Sequence, residues 1–246
     1  MFSKLLSVTT GVLLGVAAVA AADDMSHATK FTIRIENVTK PDAYTASNGT
    51  KWSLAFSPGL AIVHKEKAPV FSVGKKDRGQ GLEAQSEDGD PGMLAKSLEG
   101  GKGIKSVTVF NTPVGAKGPG PITPGSAYEV TISAVPGDRL TLTTMMGQSN
   151  DWFYAPGEAG IALFKDGKAI SGDITSQMIL WDAGTEMNQE PGIGPDQGPR
   201  QKGPNTGEAE NGIVKNAKDV KYGSAFTNTV KAMKVTITPA MMPGAM

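Results

Sequence analysis

The sequence predicts an all-β protein, an antiparallel sandwich of about eight strands with one short helix and long Gly/Pro-rich loops. Two observations predict it. Short apolar segments alternate with polar residues at a period of two, as half-buried strands do. Between them lie segments rich in Gly and Pro, 31 and 16 residues in all, which demand many turns. An open β-barrel satisfies the same pattern and stays as an alternative.

Taken in order, residues 30–38 (KFTIRIENV) form the clearest alternating run, with Phe31, Ile33 and Ile35 on one face. Residues 52–56 and 60–63 read as two short extended pieces divided by a tight Ser57-Pro58-Gly59 turn. Lys75, Lys76 and Arg78 fall in a mixed stretch read as a solvated loop. Residues 90–100 hold the helix: Asp90 to cap, Pro91 at the first position, Gly100 to stop, and an apolar stripe of Met93, Leu94 and Leu98. Residues 106–110 are a strand, and 111–125 a loop. Residues 127–135 and 139–146 read as a hairpin joined at Pro136-Gly137-Asp138. Strands follow at 159–164 and 176–181. Residues 190–212 are aperiodic, a long loop ordered only if something holds it. The last strand is expected at 230–238, with Met233, Val235 and Ile237 on the core face.

Residues 1–22 read as a secretory leader, with Lys4 before an apolar run and small residues at a cleavage site. No later segment has the length and hydropathy to span a bilayer. One domain is expected over residues 23–239, followed by a fraying tail at 240–246. The chain is therefore expected to be secreted or periplasmic, with no integral membrane segment after leader cleavage. A formal net charge of zero offers no basic field for nucleic acid. The absence of cysteine excludes disulfides, thiolate metal sites and thiol catalysis, and it suits a bacterial envelope. The only two histidines, His27 and His64, leave a multi-histidine zinc site without ligands within one chain. His64 is read as a structural hydrogen-bonding residue.

Chemistry concentrates in residues 145–194. MMGQSNDWF and LWDAGTEMNQEPGIG each set acidic side chains beside a tryptophan at a strand end. Asp151, Asp182 and Glu186 are their carboxylates. If neighbouring strands bring them together, they offer the oxygen ligands that calcium takes, and an ion would relieve their mutual repulsion. It would also order the loop beyond Glu186. Spacing alone fits solvated turn caps best, and paired carboxylates also serve glycoside hydrolysis. No G-x-S-x-G nucleophile motif is present. Trp152 and Trp181 are read as core anchors whose indole N–H finds a backbone partner, and Met145 and Met146 as core filler.

These segments, with FTIRIENVT, LAFSPGLAIVH and GLEAQSEDGDP, make the chain resemble the spondin N-terminal domain family over about residues 31–201. The resemblance is to its stand-alone bacterial members. It implies an eight-stranded antiparallel sandwich, no enzymatic activity, and a calcium ion near the strand-end loops. The ligand positions implied are Asp151, Asp182 and Glu186, the last standing where the family has an aspartate. Animal members act in matrix attachment and cell adhesion. The partner implied here is an unnamed envelope or extracellular protein, glycan or lipid.

Overall fold

The computed structural model describes residues 28–67 and 69–240. The expected leader and the tail beyond residue 240 lie outside the described residues, as does His27. Eight strands of four or more residues are present among the described residues: β1 Thr29–Asn37, β2 Phe56–His64, β3 Ile104–Phe110, β4 Ala127–Ala134, β5 Arg139–Met146, β6 Trp152–Ala155, β7 Ile179–Asp182 and β8 Met233–Pro239. All pairings are antiparallel. The smaller sheet runs Gly172–Asp173, β8, β1, β4. The larger runs Lys215–Asn216, β7, β6, β5, β2, β3. The fold is all-β and sandwich-like, as expected.

Alternation explains the packing. Phe31, Ile33 and Ile35 of β1, Val130 and Ile132 of β4, and Val235 and Ile237 of β8 meet Ala61, Val63, Leu140, Leu142, Trp152 and Leu180 of the larger sheet in one apolar cluster. The opposite face of the larger sheet is covered too. Leu60, Ile62, Phe153 and Trp181 pack there against Val70, Phe71, Leu82 and the helix residues Leu94 and Leu98. Coverage on both faces explains why β2, β5 and β6 are buried almost end to end rather than on alternate residues. Each large apolar side chain so buried contributes about 1.5–3 kcal/mol.

Several elements differ from their sequence reading. The expected hairpin of residues 127–135 and 139–146 is absent: β4 pairs with β1 in one sheet, and β5 with β2 and β6 in the other. Its turn carries the chain between sheets. Pro136 and Gly137 (φ 95°) sit at the second and third positions of a turn closed by a 3.0 Å bond from Asp138 N to Val135 O. That is a type II arrangement, whose twist splays the flanking strands instead of pairing them. The Ser57-Pro58-Gly59 turn is absorbed into a single strand, β2, whose register to β5 shifts between Phe56 and Gly59. A bulge there accommodates the missing Pro58 N–H.

The solvated loop before the helix instead contains a wide, π-helical turn, Ala84–Asp88, that buries Gln85, Ser86 and Glu87. The helix is α1 Gly92–Leu98; Pro91 rather than Asp90 stands at its N-cap, with no side-chain cap bond, and Asp90 Oδ1 one residue earlier accepts from Gly92 N at 2.8 Å. Its buried stripe is Leu94, Ala95 and Leu98, and Met93 is exposed. The strand expected at 159–164 is reduced to Ile161–Ala162 and Phe164–Lys165. The one expected at 176–181 begins only at Ile179, after a short helical turn. Thr229–Ala232 is likewise a helical turn, and β8 follows it with Met233, Val235 and Ile237 buried. No helix among the described residues is long and apolar enough to cross a membrane.

Candidate metal centre

The connection from β5 to β6 is short, and each of its polar side chains is buried with a defined task. Ser149 Oγ donates to Met146 O (2.7 Å) and accepts from Trp152 N (3.1 Å), which closes the connection on itself. Gln148 Oε1 accepts from Ala55 N at 2.9 Å. Asn150 faces the later loop: its Oδ1 accepts from Gln189 N (2.9 Å) and its Nδ2 donates to Glu186 Oε1 (2.7 Å). Asp151 is then fully enclosed. Its Oδ2 accepts from Thr185 N (2.8 Å), Glu186 N (3.2 Å) and Thr185 Oγ1 (3.3 Å), while Oδ1 is buried with no hydrogen-bond partner.

Asp182 ends β7 directly opposite Trp152 in the ladder. Residues opposite one another on a sheet share a face, so the Asp182 carboxylate meets the Trp152 indole. Its Oδ2 accepts from Trp152 Nε1 (3.1 Å) and Asn188 Nδ2 (2.6 Å). Its Oδ1 is buried and unpartnered by hydrogen bonds, with Lys215 Nζ 4.0 Å away. Beyond Asp182 the chain turns at Gly184 (φ 70°) and runs extended against residues 208–212. Glu210 N bonds to Thr185 O (2.9 Å), Met187 N to Glu208 O (2.8 Å), and Gly212 N to Gly184 O (2.7 Å).

That miniature ladder decides which acids meet. Asp151, Asp182 and Glu210 each offer a carboxylate oxygen within 4.8 Å of the others. Glu186 is not among them. Glu186 lies opposite Ala209, so Thr185 lies opposite Glu210. Successive side chains of an extended segment point to opposite faces, so Thr185 and Glu210 share the face toward Asp151, and Glu186 takes the other. Glu210 Oε1 accepts from Lys215 Nζ at 2.7 Å, and its Oε2 is buried without a partner. Asn188 Oδ1 is another buried oxygen without one. The structure thus brings together Asp151 and Asp182 of the three expected acids, and Glu210 in addition. Nothing in the aperiodic segment 190–212 marks Glu210; its pairing with residues 184–187 arises only in three dimensions.

Electrostatics match this geometry. Burial pushes the Asp151 carboxyl well above the usual range, and the charge of Asp182 adds to it, against the pull of the Thr185 and Glu186 N–H groups. Burial also raises Asp182, opposed by Asn188 and Lys215. Taking charged oxygens out of water without a counter-charge is costly, so protons or a cation must sit among them. Three ionised carboxylates beside the Lys215 ammonium leave two negative charges, which a divalent cation balances. The donor set is all oxygen, and that suits a hard cation of the calcium or magnesium kind. Asp151, Asp182 and Glu210 are the residues that would hold it.

The other singled-out residues are structural in their contacts. Trp181 Nε1 donates to Ala155 O at 3.2 Å, whereas Trp152 finds an acid rather than backbone. His64 is buried between Glu66 O (2.6 Å from Nδ1) and Thr141 Oγ1 (2.9 Å from Nε2). Met145 and Met146 are buried.

No family model matches this chain, and no curated protein matches it either. Fold and geometry together define a class: an all-β, sandwich-like protein with a buried, all-oxygen acidic group at one strand end that could hold a metal ion.

Proposed function

We propose that the chain is an exported, non-enzymatic calcium-binding β-sandwich that acts as a binding or adhesion module. The observation that carries the cation is the convergence of Asp151, Asp182 and Glu210, each with a buried oxygen that lacks a hydrogen-bond partner. The resemblance of the two tryptophan-acid segments to spondin N-terminal domains supports calcium as the ion and binding as the role. Complete burial of Asp151 and Asp182 speaks against hydrolysis, because a glycosidic bond would have no approach to them. In this reading the ion fastens the 147–151 connection, the 182–188 turn and the 208–212 segment to one another.

The test is thermal melting of the wild-type chain and of Asp182→Asn, each in calcium and in chelator. Calcium should raise the wild-type melting temperature and leave the variant unmoved. A wild type indifferent to calcium, or a calcium shift that survives Asp182→Asn, would sink the proposal.

A further inference from the structure

A cleft of about 380 Å³, in the lower part of the usual range for small-ligand sites, lies across Trp152 from Asp182: its Phe226 stands 6.1 Å from the Trp152 ring. Tyr44, Trp52, Tyr222, Phe226 and Glu190 line it. Three of these rings form a continuous wall. Tyr44 and Trp52 stack at 4.6 Å with planes 20° apart, and Phe226 stands 5.5 and 5.7 Å from them. Trp52 is almost wholly buried, while Tyr44, Tyr222 and Phe226 keep part of their surface open. Tyr222 has φ 68°, a conformation that costs a bulky side chain energy and that clusters at ligand sites.

The polar element of the cleft is as well defined as the wall. Glu190 Oε1 accepts from Ser47 N at 2.6 Å and Oε2 from Ser47 Oγ at 2.5 Å. These bonds hold the carboxyl below the usual carboxylate range, so it is ionised at neutral pH. A carboxylate has about four acceptor positions, so each oxygen retains capacity for a further donor. Glu190 belongs to the loop wound around buried Gln197, whose Nε2 donates to Glu190 O at 2.9 Å.

We propose that this cleft binds a saccharide, one ring face packing on the open parts of Tyr44 and Phe226, which Trp52 backs, and its hydroxyls donating to Glu190. The chemistry fits a neutral ligand with one apolar face and a polar rim. It fits a quaternary ammonium less well. Rings at 4.6–5.7 Å leave no gap for a cation between them, and Lys221 Nζ already lies 4.7 Å from the Tyr222 centroid. The inference rests on the reading of the chain as a binding module and not on the cation. The two tests therefore fail separately: melting in chelator reads the ion, and titration reads the cleft.

The experiment is isothermal titration of the chain in calcium buffer with chitotriose, cellotriose and maltotriose as neutral probes and choline chloride as the cationic one. At least one trisaccharide should bind. Glu190→Gln, at a position outside the core, should weaken that binding about tenfold or more while the chain stays folded, with circular dichroism and a cooperative melt to check it. Tyr222→Ala should weaken it as well. Binding of no trisaccharide overturns the proposal. So does saccharide binding indifferent to Glu190→Gln, and so does choline binding in place of all three sugars.

Discussion

Glu210 and Glu186 point to opposite faces of one short ladder, and their surroundings differ. On one face Asp151, Asp182 and Glu210 turn oxygens toward one another and leave one buried oxygen each without a hydrogen bond. On the other, Glu186 Oε1 accepts from Asn150 while its Oε2 is likewise buried without a hydrogen bond. Glu186 and nearby Glu87 are both pushed up to about 7, chiefly by burial, and the charge of Glu87 adds to the rise of Glu186, but no second and third acid among the described residues converge on it there. The first group invites a divalent ion because no single proton neutralises it. In the second, burial raises Glu186 and Glu87 without gathering three acids around one point. One residue's difference in an extended segment separates the two, since side chains there alternate faces.

The comparison can be broken most forcefully by removing calcium. Chelator should lower wild-type stability by about 2–4 kcal/mol relative to calcium well above its dissociation constant, read by urea unfolding. Equal stability in the two buffers would remove the distinction between the groups. Next in size is Gly184→Ala. Gly184 holds φ 70°, and a Cβ there would lie 2.6 Å from Ile213 N and 2.7 Å from its O. The variant should lose about 2 kcal/mol and calcium binding with it, because the ladder that presents Glu210 must shift. Wild-type stability in this variant would show that the ladder is not under that constraint.

A sharper contrast comes from the two glutamates. Glu210→Gln should weaken calcium binding about tenfold, or about 1.4 kcal/mol, while Glu186→Gln leaves it nearly unchanged, both measured by calorimetric titration. The reverse result would assign the ion to the other face. The smallest effect concerns protons. Glu87 titrates at about 7 when folded against an ordinary 4.5, so between these values the unfolded chain releases a proton that the folded chain keeps. Stability should fall as pH rises through that window and level off above it. Glu87→Gln should abolish that part of the slope and gain about 1 kcal/mol at pH 8, read by urea unfolding in chelator. An unchanged slope would rule out Glu87 as its source.

Much of the architecture was legible because local periodicity and turn chemistry agree with it. β1 and β8 each show their core face in alternate residues, and Asp90-Pro91 announces the helix that follows. The Asp151 and Asp182 positions were legible as acids at strand ends beside aromatics. Glu210 was not, since it sits in a segment without periodicity and reaches the site through backbone bonds to residues 184–187. The aromatic cleft was equally hidden, as it joins Tyr44 and Trp52 to Tyr222 and Phe226, far along the chain. The turn at 135–138 misled for a different reason. Pro-Gly marks a turn, but strand pairing depends on the turn's twist and on which sheet offers the next open edge.

By itself, then, the sequence determined the all-β class, most strand positions and their inward faces, because these follow from side-chain alternation and from Gly and Pro stereochemistry within a few residues. Only the tertiary structure decided that β4 and β5 belong to different sheets, that Glu210 rather than Glu186 faces Asp151 and Asp182, and that four distant aromatics share a cleft. Those outcomes depend on register between segments far apart in the chain, and a register shift of one residue would exchange the two faces.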